Sequence, residues 1–239
     1  MQYDFETIIA IRHAESLRNS LKRGGAALTS EQLAAGAASL PDWQMPLSER
    51  GFKQAEHLAK SASAILKHLN ITNERDFTIC TSGFLRCVQT ASCLKRSLRL
   101  DQDDLCDIRL RERDAGYVYD MLDSQFQSEF SYTDRHHRLV GDFFYRTPGG
   151  ESLADVVPRL ASFFSELNAT KPNKKNLIIV SHGGTMRAMK ALFNNLTPDE
   201  CAQTTNPNNC ELWIWQNSLH CKKFSEIQGL TFELPLEVV

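Results

Sequence analysis

The chain has 239 residues, 42% hydrophobic and 23% charged, with 27 basic side chains against 29 acidic ones for a formal net charge of −2. That composition suits a globular fold with a sizeable core and excludes disorder, collagen and coiled coil as readings of the whole chain. The near-neutral balance provides no broad basic field to draw the protein to nucleic acid or anionic lipid, and no apolar run approaches the roughly 18 residues that a membrane span needs.

The N-terminus, Met-Gln-Tyr-Asp-Phe-Glu, has no signal-peptide pattern. The cysteines are odd in number, irregular in spacing and free of any CxxC, which fits free thiols in a reducing compartment. A cytoplasmic, or else nuclear, location is expected.

Thr7-Ile8-Ile9-Ala10-Ile11 is a short β-branched run that opens directly into Arg12-His13-Ala14-Glu15-Ser16. Ser20 to Leu47, with Gly24-Gly25 and Pro41, reads as a long loop holding at most a short helix. From Ser48 onward, Ala55, Leu58, Ala62, Ile65 and Leu69 recur at helical spacing. A second run, Phe77-Thr78-Ile79-Cys80, leads into Thr81-Ser82-Gly83-Phe84-Leu85-Arg86, after which Val88, Ala91, Leu94 and Leu98 mark another helix. Gly116 to Gly150 is polar and aromatic and weak in regular signal, as lids and binding insertions often are. Ser152 to Leu167 reads as a helix with Pro158 as the place for a kink. The third run, Leu177-Ile178-Ile179-Val180, gives way to Ser181-His182-Gly183-Gly184 and a helical stripe of Met186, Met189, Leu192 and Phe193. Leu212 to Trp215 and Gly229 to Leu234 look like late, more exposed strands.

Apolar runs without alternation are how strands covered on both faces read. Their alternation with helices predicts a three-layer α/β/α fold with a mostly parallel central sheet and a lid-like insertion at about 116–150, all in one domain spanning 1–239. Ligands of such sheets sit beyond the carboxyl ends of the strands. If the three runs are central, Arg12, His13, Arg86 and His182 converge there, beside helix starts whose N–H groups and dipoles favour anions. Guanidinium forks match phosphate oxygens, so this pocket fits a phosphoryl dianion. A lone strand-end His or an early-helix Arg is usually structural; the joint occurrence after three separate strands argues for a shared site.

Arg12-His13-Ala14-Glu15-Ser16, with Asn19 following, resembles the RHGE-type signature of the histidine phosphatase (phosphoglycerate mutase-like) superfamily. Thr81 to Ala91 is similar to its arginine-bearing second block, Leu110 to Gly116 to the segment carrying its acid/base glutamate, and Pro148 to Ser152 and Ser181 to Gly184 to two further blocks in the right order. Phe143-Phe144-Tyr145-Arg146 resembles a fungal and plant branch of broad-range phosphatases. The resemblance covers about residues 5–215. It implies that His13 is a nucleophile forming phosphohistidine and that Glu112 is the general acid/base. Arg12, Arg86 and His182 would hold the phosphoryl oxygens, with Asn19, Ser16 and Gly183 as further phosphate contacts. It implies no metal or other cofactor, and a phosphorylated small molecule or phosphoprotein as substrate.

Where the family usually has Gly, this chain has Ala14, whose methyl is expected close to the phosphate-binding backbone. That departure keeps open a non-catalytic phospholigand-binding or scaffold domain beside the phosphatase reading. Phosphotransfer of the phosphoglycerate mutase type is a second alternative. Cys80 to Arg86 also spells the Cys-x5-Arg loop of cysteine-dependent phosphatases, a reading that leaves His13 and His182 without a role. Glu151 is expected to cap the Ser152 helix. His136 and His137 with Arg135, Arg138 and Arg146 form a candidate basic rim for substrate. Trp213 and Trp215 share a strand face and read as packing.

Overall fold

A computed structural model of the chain describes residues 5–21, 40–71, 77–100, 105–119, 121–171, 176–216 and 222–223. The three apolar runs are strands β1 (Thr7–Arg12), β2 (Phe77–Thr81) and β4 (Asn176–Ser181), and β3 is a two-residue edge strand, Leu105–Cys106. With β5 (Leu212–Gln216) and β6 (Lys222–Lys223) they form one sheet in the order β3-β2-β4-β1-β5-β6. The first four strands run parallel and the last two antiparallel to their neighbours. Register aligns Arg12 with Ser181 and Thr81 with Val180, so β1, β4 and β2 end nearly level. The residues that follow, His13, His182 and Ser82, therefore emerge at one edge of the sheet.

Alternation along the buried strands feeds two cores. Ile9, Ile11, Ile79, Ile178 and Ile214 face helices α2 (Glu49–His68) and α3 (Leu85–Leu98). Ile8, Ala10, Leu177, Ile179 and Trp213 face α6 (Leu153–Thr170) and α7 (Gly183–Asn194) on the other side. This is the three-layer arrangement expected. Each fully buried Leu, Ile or Phe here contributes about 1.5–3 kcal/mol of transfer free energy. The late strand β5 differs from expectation: Leu212 to Trp215 are all buried. Pairing with β1 and cover on both faces account for it. The second expected late strand, Gly229 to Leu234, lies outside the described residues.

Helix starts follow the capping rules. Ser48 caps α2 by accepting from Gly51 N, and Ser152 caps α6 in a reciprocal box with Asp155. Helix α6 carries Pro158 within an unbroken span. Ser152 with Asp155 thus performs the role expected of Glu151, which is used elsewhere.

The 116–150 insertion is more regular than its sequence suggests. After a short α1 (Leu17–Leu21) and the main helices above, it contributes a 3-10 turn at Gly116–Tyr119, α4 (Asp123–Glu129) and α5 (Thr133–Phe144), the last kinked at Gly141. Helix α5 packs against α6 and α8 (Pro198–Gln203), so tertiary contact supports a helix whose apolar residues, Leu139, Val140, Phe143 and Phe144, all lie in its second half. The neck closes by Tyr117 N donating to Pro148 O at 3.0 Å and Glu151 N to Asp114 O at 2.9 Å. Gly116, at φ +59°, permits the approach: a Cβ there would lie 2.1 Å from Pro148 O. Of the long loop 20–47, residues 22–39 lie outside the described set; its end forms a 3-10 turn at Asp42–Gln44. No helix among the described residues is long and apolar enough to cross a membrane.

Candidate active site

A cavity of about 680 Å³ opens at the carboxyl edge of the sheet, lined by Arg12, His13, Ser16, Asn19, Arg86 and Glu112 among others. His182 and Ser82 lie just beneath, fully buried. The ring centroids of His13 and His182 are 5.2 Å apart, and one guanidinium ties them together. Arg86 Nε donates to His13 Nε2 and Arg86 Nη2 to His182 Nδ1, each at 3.2 Å.

Arginine can only donate, so these contacts assign both tautomers. His13 Nε2 bears a lone pair, while its Nδ1–H donates to Ala14 O at 2.7 Å. His182 Nδ1 accepts, and its Nε2–H donates to Ser82 Oγ at 2.8 Å, with Cys87 Sγ at 3.4 Å. Burial first, then the positive charges of Arg86 and Arg12, hold the pKa of His13 well below the ordinary imidazole value. Burial and Arg86 do the same to His182. Both rings are therefore neutral. Burial pushes the Cys87 thiol up to about 12, so beside His182 it is a neutral packing group.

The loop after β1 is clamped on two sides. Gln54 Oε1 accepts from Glu15 N, Ser48 Oγ donates to Glu15 Oε1 at 2.7 Å, and Thr90 Oγ1 accepts from Ala14 N. From the far side, Asn209 Nδ2 donates to His13 O at 2.9 Å, and Arg12 Nη1 donates to Pro207 O at 2.6 Å. The 206–211 turn carries no motif and was not legible as part of the site. Arg12 Nε is buried and has no hydrogen-bond partner, a donor left over at the wall of an anion-shaped cavity. Ser16 and Asn19 line the cavity and cap one another reciprocally across α1, Ser16 N to Asn19 Oδ1 at 3.2 Å and Asn19 N to Ser16 Oγ at 3.1 Å.

Ala14 is fully buried, absent from the cavity wall, and packed within the core cluster that includes Leu47, Ala55 and Cys87. The Ala14 methyl thus belongs to the hydrophobic core and not to the cavity wall. Cys80 is likewise fully buried, within the opposite core; its place in mid-strand keeps it from the cavity.

Glu112 faces the amino end of α7. Its Oε1 accepts from Thr185 N at 3.2 Å and from Arg113 N at 2.8 Å. Gly184 rather than Gly183 makes room for it: a Cβ on Gly184 would lie 2.8 Å from Glu112 Oε1, whereas one on Gly183 meets nothing closer than 3.4 Å. The backbone beneath Glu112 is pinned by Thr185 Oγ1 donating to Arg111 O at 2.6 Å and Ser181 Oγ to Leu110 O at 2.8 Å. Arg159 of α6 completes the platform, donating to the carbonyls of Arg109, Arg111 and Glu112 and to both oxygens of Glu151. Glu151 also accepts from Arg111 Nη2 and Asp114 N. It is thus a support for the Glu112 loop and not a helix cap. Arg159 went unnoticed in the sequence because an arginine in mid-helix ordinarily reads as surface.

The candidate basic rim is elsewhere. His136 and Arg146 line a separate groove beside α5, His137 pairs with Asp142, and Arg146 pairs with Asp155, whose carboxyl it holds down at about 2. Helix α5 turns these residues away from the sheet edge.

A family model described as histidine phosphatase superfamily (branch 1) matches residues 8–218. Among curated proteins, the phosphoglycerate mutase-like protein AT74H of Arabidopsis thaliana is 29% identical over 228 residues, 87% of this chain and 73% of that protein. A fructose-2,6-bisphosphatase of Saccharomyces cerevisiae is 29% identical over 79% of this chain, which spans only 34% of the yeast protein. Among solved structures, a mycobacterial glucosyl-3-phosphoglycerate phosphatase in complex with inorganic phosphate superimposes with a TM-score of 0.64 at 21% identity, over 91% of this chain and 95% of that one. YhfR of Bacillus stearothermophilus does so with a TM-score of 0.67 at 20% identity, over 93% and 98%. At that identity the structural likeness concerns the fold.

Proposed function

Because the chain belongs to the histidine phosphatase superfamily, branch 1, we propose that it is a phosphomonoesterase working through a phosphohistidine on His13. One observation carries the reading: a single guanidinium, Arg86, contacts two buried neutral imidazoles whose free tautomeric choice it removes. The relatives support phosphatase chemistry at the level of the superfamily; the mechanism is inferred from this chain's own geometry.

The phosphoryl group enters with its oxygens on Arg12 Nε, the Arg86 fork and the His182 side of the pocket. Charge that develops on the equatorial oxygens meets guanidinium donors held at the sheet edge. As Arg86 Nε–H leaves His13 Nε2 for a phosphoryl oxygen, Nε2 attacks phosphorus in line and the P–O bond to the leaving group breaks. The Nδ1–H···O contact to Ala14 holds the ring in the nucleophilic tautomer and supports the positive charge that the ring acquires. Protonated Glu112 gives its proton to the departing oxygen. Water then attacks phosphorus, Glu112 takes a proton from it, the N–P bond breaks and inorganic phosphate leaves with His13 restored. The cations are side chains, so no step calls for a metal.

A phosphotransferase reading would need an acceptor hydroxyl in place of water, and no feature of the cavity favours one. A non-catalytic reading drew on Ala14, and its burial in the core weakens that motive. The test is a panel of phosphomonoesters offered to wild type and His13→Ala. Turnover by the wild type, lost by at least about a thousandfold in the variant, is expected; binding of phosphate by a wild type that turns over no ester would defeat the proposal.

A further inference from the structure

The two arginines of the cavity are in opposite states. Arg12 keeps a buried Nε–H without a partner. Arg86 has none to spare. Its Nε–H goes to His13 and one Nη2–H to His182. The rest go to Asp42: Nη1 to Oδ1 at 3.0 Å and to the Asp42 carbonyl at 2.6 Å, and Nη2 to Oδ2 at 3.2 Å. The five N–H groups of the guanidinium are thereby used. Asp42 stands on the 3-10 turn at the cavity wall and its side chain is 30% exposed, against 6% for Arg86.

A carboxylate on an arginine fork presents two oxygens much as the edge of a phosphoryl group does. A phosphoryl group that comes to Arg86 must therefore take donors from something. The Nε–H on His13 is a single donor that attack by Nε2 itself releases, and the Nη2–H on His182 fixes that ring's tautomer; the other donors of the fork all lie on Asp42. The exposed partner is the one that can yield, and two anions do not share one fork without repulsion. A place for the released carboxylate exists. The Tyr119 hydroxyl is buried and makes no hydrogen bond of ordinary length, yet it already lies within reach of the Asp42 carboxylate, whose charge and long contact, after burial, raise its pKa; a short shift of Asp42 off Arg86 would close that contact. Tyr119 is fixed in turn by Arg18, which donates to its carbonyl and lies 3.6 Å over its ring.

We propose that Asp42 is a built-in competitor for the substrate's phosphoryl group: it occupies the Arg86 fork in the empty enzyme and transfers to the Tyr119 hydroxyl when the phosphoryl enters. The proposal rests on reading the cavity as a phosphoryl site. It makes Asp42 a specificity-determining residue. A group with two negative charges and three oxygens displaces it, whereas a monoanionic carboxylate or a neutral hydroxyl gains too little from Arg86 to do so. Every productive encounter pays this displacement, so Asp42 weakens binding while keeping Arg86 oriented between substrates.

The test measures the Kd of inorganic phosphate by calorimetry, together with kcat and KM for 4-nitrophenyl phosphate. Wild type, Asp42→Asn, Tyr119→Phe and the double variant are compared, with Arg86→Ala as the anion-site control. Asp42→Asn is expected to bind phosphate about tenfold more tightly, the scale of losing one charge-assisted contact, with KM falling in step. Tyr119→Phe is expected to weaken phosphate several-fold in the wild-type background and to change nothing in the Asp42→Asn background. Phosphate affinity unchanged or weakened in Asp42→Asn would overturn the proposal and make Asp42 a mere support for Arg86. An equal effect of Tyr119→Phe in both backgrounds would overturn the transfer step, and so would an unchanged phosphate affinity in Tyr119→Phe against wild type, a comparison that needs no Asp42 variant. If Arg86→Ala loses phosphate while Asp42→Asn is neutral, the phosphoryl site stands and only the competitor falls. If wild type binds no phosphate, the site reading itself fails.

Discussion

Arg159 does not itself line the cavity, yet its replacement should disable the proton-transfer half of the reaction. It is 11% exposed and Glu151 16%, so solvent screens this pair little. Arg159→Met keeps the aliphatic stem and removes donors from the carbonyls of Arg109, Arg111 and Glu112, while Glu151 retains Arg111 and Asp114 N. At about 1 kcal/mol net for each lost neutral bond, plus the partly uncompensated carboxylate, the fold should lose about 3–4 kcal/mol. The Glu112 segment then hangs from Thr185, Ser181 and the contacts that Glu151 keeps with Arg111 and Asp114, and a drift of about 1 Å in an acid/base group costs about a hundredfold in rate. The assay compares an alkyl phosphate, whose leaving oxygen needs a proton, with 4-nitrophenyl phosphate, whose phenolate leaves without one. The expected result is a loss of about a hundredfold in kcat/KM on the alkyl ester and at most a few-fold in kcat/KM on the aryl ester, because kcat/KM reports the leaving-group step, whereas kcat falls on both esters through the shared water step; Arg159→Lys should recover part of each loss. Equal losses of kcat/KM on both esters would refute the reasoning and reduce Arg159 to a purely structural residue.

Five further outcomes follow from the geometry. The depressed folded-state pKa values of His13 and His182 mean that the unfolded chain binds more protons below the ordinary value of about 6.5; stability is then full above that pH and falls by up to about 1.4 kcal/mol per pH unit per imidazole below it, which denaturant titrations from pH 7.5 to 5 will measure. For the same reason kcat/KM should show no loss attributable to protonation of the nucleophile near pH 6.5, and a one-proton fall centred there would contradict a neutral His13. Gly184→Ala should push Glu112 from its seat and lower kcat by about 10- to 100-fold, with phosphate affinity nearly intact by calorimetry. Ala14→Gly should leave kcat within about threefold and cost about 1–2 kcal/mol of stability, since the lost methyl is a core group; a large gain in kcat would show that the methyl hinders the site after all. Cys80→Ala should remain active, because that thiol lies in the core and not at the cavity.

The central strands, the helices that follow them and the convergence of Arg12, His13, Arg86 and His182 were legible because each depends on local pattern. A β-branched run, a capping serine and a strand-end polar residue are written in adjacent positions. What sequence could not disclose depends on partners far along the chain. Helix α5 is hard to read because its apolar residues are confined to its second half, with Gly141 among them, and its cover comes from α6 and α8. The strand at Leu212–Trp215 was thought more exposed because its cover is supplied by helices distant in sequence. Glu151 was given the nearest available role, capping, whereas its partners Arg111 and Arg159 lie on two other elements. Gly183 and Gly184 are indistinguishable as letters, and only the approach of Glu112 separates them. The link between Asp42 and Arg86 spans 44 residues, with no periodicity to announce it.

The most direct test is to trap the covalent intermediate. Glu112→Gln cannot activate water but should still allow a good leaving group to depart, so mixing it with 4-nitrophenyl phosphate at neutral pH and quenching in alkali should accumulate protein carrying one phosphoryl group. Fragmentation of the intact, alkali-quenched protein should locate that group on His13, and His13→Ala/Glu112→Gln should carry none. A phosphoryl group on Cys80 or His182, or steady turnover of 4-nitrophenyl phosphate by His13→Ala, would contradict nucleophilic catalysis by this imidazole.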